Sequence, residues 1–278
     1  LFFVILVGKI ILLFTRALKI GGGSAAPGYY ALKVDPDLVE KLARKIPKNV
    51  VITGTNGKTT TARMVAHFAR ESGIKMIRNH TGSNLERGIA SALIASTSLG
   101  SHLKGAKLNI DLGIWELDEA AFNSVAPKFK PDVVVFLNVF RDQLDRYGEV
   151  DMVVKKWCQT LNKLDPKTVI LVNGDDANTT RLKNCFKGKV ETFGVEDYKI
   201  EGESLEKSSH HQLDFEAKDV ETKGLDGSRF RLTINDSRFT INLPVPGIYH
   251  IYDAVAALAA AHHLNLPIHR LADSLKNF

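Results

Sequence analysis

Cysteine is nearly missing from this chain: Cys158 and Cys185 are the only two in 278 residues, and no C-x-x-C occurs. That excludes a cysteine zinc ribbon and a disulfide framework, and it points to a reducing, cytoplasmic setting. A long apolar run is missing too. The greasiest stretch, residues 1–14, is interrupted by Gly8 and Lys9 and is too short to span a bilayer. No basic run is interleaved with stacking aromatics, so nucleic acid is not an expected partner. The net charge of +6 suits small anions such as a nucleotide or a lipid pyrophosphate instead. An initiator Met is also lacking, and the chain stops at Phe278 right after an amphipathic pattern (Leu266, Ile268, Leu271, Ala272, Leu275). The expectation from these ends is a fragment with a further domain downstream. The rest, 44% hydrophobic and 24% charged, is ordinary for a globular protein with a real core.

What is present is a phosphate cradle. Val50-Val51-Ile52-Thr53 runs into Gly54-Thr55-Asn56-Gly57, then Lys58 and three hydroxyls (Thr59, Thr60, Thr61) that open an apolar-periodic helix. Gly54 and Gly57 permit backbone angles and approaches that a Cβ would block. Amides at a helix N-terminus point at an anion, and the helix dipole favours negative charge there. Lys58 can reach the outer phosphates, and the Thr59 hydroxyl is placed to ligate Mg²⁺. The broad pattern G-x-x-x-x-G-K-[ST] is not met, because Ile52 stands where its first glycine belongs. The tighter G-T-N-G-K-T-T form reads as an ATP site.

From residue 50 onward buried strands alternate with helices. Strands are predicted at 50–53, 74–78, 109–116, 132–137, 168–172 and 190–193, and helices at 59–72, 85–98, 118–125, 150–163 and 176–184. Such alternation predicts an α/β fold: a mostly parallel sheet with helices on both faces. Ligands of such sheets sit beyond the carboxyl ends of the strands, where the phosphate loop, Glu116, Asn138 and Asn173 all fall. Residues 196–243 are charged and Ser-rich, then alternate as short strands (Phe230–Ile234 and Phe239–Leu243), which predicts a small antiparallel insertion. An Ala-rich helix is predicted at 249–264.

The division expected is 1–46, an apolar and basic helix with a Gly-rich linker, and 47–278, the ATP-binding domain. On a helical wheel Lys9, Arg16 and Lys19 share one face of the first helix. That suits an element lying in a membrane interface, or equally a helix buried against a partner. A signal-peptide reading has Ser24-Ala25-Ala26 as a loose cleavage site, but an exported protein would meet no ATP. Gly21 to Gly28 reads as the linker that follows.

Three further segments carry a family resemblance: Trp115-Glu116-Leu117-Asp118-Glu119-Ala120-Ala121, Asn138-Val139-Phe140-Arg141-Asp142-Gln143-Leu144-Asp145-Arg146-Tyr147-Gly148-Glu149, and Asn79 to Ala90. With the G-T-N-G-K-T-T loop they resemble the central ATPase domain of the Mur ligases, in particular the branch that amidates lipid II. Most Mur ligases carry a metal-binding His where Gln143 stands, and the amidating branch carries Gln. The resemblance implies ATP-dependent conversion of the D-glutamate α-carboxylate of lipid II to an amide through an acyl phosphate. The ammonia would come from a GatD-like glutamine amidotransferase subunit in a heterodimer, in the cytoplasm at the inner face of the membrane.

For the site, the resemblance implies Lys58 and Glu116 as catalytic, Thr55, Asn56, Gly57, Lys58, Thr59, Thr60 and Asn173 as nucleotide-binding, and Thr59 with Glu116 as ligands of Mg²⁺. Asp142, Gln143, Asn84, Arg87 and Lys156 are weaker candidates. This chain departs from the family in three ways. It has none of the four zinc-ribbon cysteines, so zinc is not expected, and His210-His211 is the only metal-capable pair in that region. His250 and Asp253 stand where the family shows Asn. The family's C-terminal domain is not within these 278 residues, as expected of a fragment. Two other readings stand beside amidation: an amino-acid-adding Mur or folylpolyglutamate-type ligase, and a non-catalytic nucleotide-binding scaffold.

Overall fold

The structure is a computed structural model that describes residues 1–17, 25–79, 85–99, 106–140, 149–196, 213–234 and 237–278. Lys19, Gly21–Ser24, His80–Asn84, Asp142, Gln143 and His210-His211 lie outside the described residues. Three helices lead: α1 (Phe2–Ala17), α2 (Ala26–Val34) and α3 (Leu38–Ala43). Then follow β1 (Lys48–Thr53), α4 (Lys58–Glu71), β2 (Met76–Arg78), α5 (Glu86–Ser96) and a hairpin of β3 (Thr97–Leu99) and β4 (Ala106–Leu108). The chain continues through β5 (Leu112–Glu116), α6 (Glu119–Phe129), β6 (Val133–Phe136), α7 (Glu149–Leu161), β7 (Val169–Asn173) and α8 (Ala177–Thr180). It closes with β8 (Val190–Val195), β9 (Phe215–Thr222), β10 (Ser228–Ile234), β11 (Ser237–Leu243), α9 (Ile248–His263) and α10 (Ile268–Ser274).

The main sheet runs β11-β10-β9-β8-β7-β6-β1-β5-β2. From β2 to β9 every neighbouring pair is parallel, and the β9–β10 and β10–β11 pairs are antiparallel. All the parallel strands therefore present their carboxyl ends along one edge. The central strands β1, β5, β6 and β7 are mostly apolar runs buried on both faces, as a parallel sheet under two helical layers requires. Successive residues of β1 serve opposite layers: Val50 and Ile52 face α4 and α9, while Val51 packs with Trp115, Phe129 and Phe136 under α3, α5, α6 and α7. Val4, Ile5, Ala31 and Leu38 of α1–α3 join that second layer.

Three local expectations are corrected. The helix read over 85–98 stops at Ser96, because Thr97 is extended and turns its hydroxyl back on Leu93 O at 2.7 Å, starting β3. Gly28, read as linker, is a helix-crossing point. Pro27 begins α2 with φ already set, and a Cβ at Gly28 would stand 1.9 Å from Arg87 O. The Gly28 amide also donates to Ser91 Oγ at 2.8 Å. Finally, the two cysteines are joined to each other. Cys158 on α7 and Cys185, at the end of the 3₁₀ turn after α8, lie with Cα atoms 5.0 Å apart and form a disulfide. Packing of that turn against α7 brings together residues 27 apart in the chain.

The antiparallel insertion is present and extends the main sheet: β9 pairs in parallel with β8, and the β10–β11 hairpin widens it further. Among the described residues no helix is long and apolar enough to cross a membrane.

Candidate nucleotide site

β1 hands the chain to the phosphate loop at the carboxyl edge of the sheet. Gly54 has φ +138°, and a Cβ there would meet Asn138 O at 2.8 Å. Gly57 has φ +87° and caps α4 from the left-handed region, where glycine alone is unstrained. The loop is braced by the segment after β6. Thr55 N donates to Asn138 O at 2.9 Å, and Asn56 N donates to Asn138 Oδ1 at 2.8 Å. Phe140 N donates to Thr55 Oγ1 at 3.2 Å. Asn138, noted from the sequence only as a strand end, is thus the loop's main brace. Lys58 Nζ donates to Gly54 O and, at 2.8 Å, to Thr55 O, which sets its ammonium across the mouth of the loop.

Glu116 ends β5, directly across from Ile52. It is completely buried. The Thr59 hydroxyl donates to its Oε2 at 2.7 Å, bringing together the two residues read as metal ligands. Its Oε1 accepts no hydrogen bond; the nearest cation, Arg78 Nη1, lies 3.7 Å away and is itself buried without a hydrogen bond. Burial pushes the Glu116 carboxyl above its usual range, against the opposing pull of the Thr59 hydroxyl and the Arg78 and Lys58 charges. Asn79 holds the backbone of Glu116 from the neighbouring strand. Its Nδ2 donates to Glu116 O and its Oδ1 accepts from Glu116 N, both at 2.9 Å. Arg78 was not read from the sequence, where nothing separates it from any strand-end arginine.

On the other side of the loop is a cleft with about 380 Å³ of space, its open mouth included. It is lined by Asn56, Gly57, Asn138 and Phe140 from the loop and its brace, together with Asn173, Tyr249, Tyr252 and Asp253. The lining includes the glycine turn at Gly57 but neither Thr59 nor Glu116. Asn173 Oδ1 accepts from Asp175 N at 3.0 Å, closing a turn at the end of β7. Asp175 in turn accepts from Tyr252 OH and Val195 N, both at 2.8 Å, tying that turn to α9 and β8. Asp176 caps α8 as read from the sequence, and its other oxygen accepts from Val139 N at 2.8 Å.

Asp253 is the unexpected member. Its carboxylate sits over the glycine turn, 2.2 Å from where a Gly57 Cβ would stand, and accepts from Thr61 Oγ1 at 3.2 Å. His250 Nδ1 lies 3.2 Å from the other oxygen. Burial pushes the Asp253 carboxyl up, while the hydrogen bond to Asp253 raises His250. Thr60 lies half-buried on the first turn of α4. Arg87 and Lys156 lie on α5 and α7, outside the cleft lining.

The donor set fits Mg²⁺ bound with a nucleotide. That ion keeps several waters and takes one or two protein oxygens beside the phosphates, and Glu116 offers a buried carboxylate oxygen that no hydrogen bond uses. Among the described residues there is no cluster of three or more His, Cys, Asp or Glu that could hold a metal without such help.

Comparison with known proteins gives the chain's relatives and its family. The chain is 29% identical over 271 residues to "Lipid II isoglutaminyl synthase (glutamine-hydrolyzing) subunit MurT" of Staphylococcus aureus strain COL, covering 88% of this chain and 59% of that protein. The same figures for identity and coverage hold over 275 residues for the protein of that name from Streptococcus pneumoniae. The chain thus spans about three-fifths of the length of these curated relatives. MurF from Acinetobacter baumannii has the same fold, with a TM-score of 0.70 at 18% identity over 89% of this chain and 49% of that one. MurF ligase from Thermotoga maritima in complex with ADP has a TM-score of 0.62 at 18% identity, covering 85% of this chain and 51% of that one. The Mur ligase middle domain matches residues 52–261, a span running from the strand under the phosphate loop to the end of α9, and on that match the chain belongs to the Mur ligase family.

Proposed function

We propose that this chain is the ATP-binding part of a ligase that amidates the D-glutamate α-carboxylate of lipid II. The observation that carries the reading is the meeting of a glycine-turn phosphate loop with a buried, half-satisfied Glu116 at one edge of a parallel sheet. The names of the relatives at 29% identity narrow it to amidation.

A carboxylate is a poor electrophile at neutral pH. Transfer of the γ-phosphoryl group of ATP to a carboxylate oxygen gives an acyl phosphate and ADP. Ammonia then attacks the acyl carbon, the C–O bond to phosphate breaks, and the amide forms with release of a proton. Positioning and charge neutralisation make up most of such catalysis. Lys58 would neutralise the transferring phosphoryl group, and Gly57 would let the phosphates approach the backbone. Thr55, Asn56 and Thr60 would complete the loop's grip, with Asn173 at the base end of the cleft. Thr59 and Glu116 would hold Mg²⁺, which supplies charge neutralisation to the phosphates. The ammonia would come from glutamine through a GatD-like amidotransferase subunit, at the inner face of the membrane.

The test uses the full-length protein with its glutaminase partner, lipid II, ATP, Mg²⁺ and glutamine. Product mass is expected to change from carboxylate to carboxamide, and Lys58→Ala is expected to abolish that change while leaving the fold intact. A mass gain equal to an amino acid would move the protein to the amino-acid-adding ligases. ATP binding with no product would leave a nucleotide-binding scaffold.

A further inference from the structure

Helix α1 is built inside out. Its inner side packs on the domain: Val4 and Ile5 are buried, and Gly8 lies close against Ile94 of α5. Its outer side is where polar residues belong. Yet Phe3, Leu13 and Phe14 are 68, 67 and 64% exposed there, with Ile10 beside them. Offsets of seven, ten and eleven residues put these four on one face of a 3.6-residue helix. A continuous exposed apolar stripe of this kind marks an interaction surface.

The charge pattern indicates the occupant. Residues 1–34 contain Lys9, Arg16, Lys19 and Lys33 and not one Asp or Glu. Elsewhere the protein is mixed, with 31 acidic residues against 37 basic ones in the whole chain. An apolar face in an acid-free, basic segment complements an anionic lipid surface. The neighbouring α2 exposes Tyr29 and Tyr30, residue types that favour the headgroup level, and Lys33 Nζ stands 4.6 Å over the Tyr29 ring.

We infer that the outer face of α1, formed by Phe3, Ile10, Leu13 and Phe14, docks this protein on the surface of an anionic bilayer. The helix would lie in the interface plane with its inner face still packed on α2 and α5. The inference does not depend on the amidation reading, because the vesicles in its test contain no lipid II.

The full-length protein is sedimented with vesicles of phosphatidylcholine alone and of phosphatidylcholine mixed with phosphatidylglycerol. Wild type is expected to bind the mixed vesicles and to release as salt is raised. The triple variant Phe3→Ser, Leu13→Ser, Phe14→Ser is expected to bind about tenfold more weakly or worse, with unchanged thermal unfolding and nucleotide affinity. Absence of wild-type binding, or equal binding by the variant, would overturn the inference. So would two other results. A dimer in light scattering that the substitutions dissociate would assign the stripe to a second copy. Protection of the Phe3, Leu13 and Phe14 side chains from hydroxyl-radical labelling in the full-length protein without vesicles would assign the stripe to another part of the chain.

Discussion

Helices α1 and α9 are each 16 residues long and rich in apolar side chains, yet their surroundings are opposite. Twelve residues of α9 are buried, from Ile248 to Ala261, and six of them are alanines. Small side chains let that helix lie close between α4 and the strands β6–β9, with its core on one side of the sheet. α1 carries Phe, Leu and Ile instead and buries only a narrow inner strip. An apolar composition therefore does not say where the apolar surface goes. Small side chains let α9 approach the sheet closely, whereas α1 keeps part of its apolar surface outside the core.

The comparison breaks first at α9. Ala257→Arg would place a charge in a fully buried position, at a cost of several kcal/mol (roughly 5). Against the usual stability of about 5–15 kcal/mol this is expected to leave the chain largely unfolded, read by chemical denaturation. Within α1 the two sides should separate cleanly. Ile5→Ala on the inner strip is expected to lower stability by about 3 kcal/mol. Phe14→Ser on the outer stripe is expected to change it by less than about 0.5 kcal/mol in the same denaturation experiment. Equal effects at the two positions would mean that the outer stripe is covered.

The smallest effect belongs to the first turn of α9. His250 is raised by the Asp253 carboxylate, so its folded pKa lies above the unfolded value. Its contribution to stability is therefore fully present below about pH 6.5 while Asp253 is ionised, and is lost as pH rises through the folded value. With His250 about one-third exposed, solvent screening keeps this below about 1 kcal/mol. Unfolding midpoints measured from pH 6 to 8 are expected to fall slightly in wild type and to be flatter in His250→Ala.

Much of the fold is legible in the chain because the central strands are unbroken β-branched runs: Val50-Val51-Ile52 and Val133-Val134-Val135 can hardly be anything else. The phosphate loop is legible because its chemistry needs glycine, lysine and hydroxyls in a fixed order. β9 was hidden, since Phe215 to Thr222 alternates only weakly among charged residues and is defined by its pairing with β8. The brace by Asn138 and the contact of Asp253 with Thr61 were hidden for another reason. They join residues 82 and 192 positions apart, and no local pattern announces such a meeting.

Asn79 shows how such distant contacts shape the chain path. β2 ends at Arg78, which pairs with Ile114, two residues before the end of β5 at Glu116. The Asn79 side chain continues the ladder alone: a single amide group gives Glu116 the donor and the acceptor that another strand residue would have given. The side chain acts as a splice beyond the last paired residue of β2. Aspartate has the same outline but no donor, so asparagine is the residue that can end a strand here and still keep Glu116 in its place.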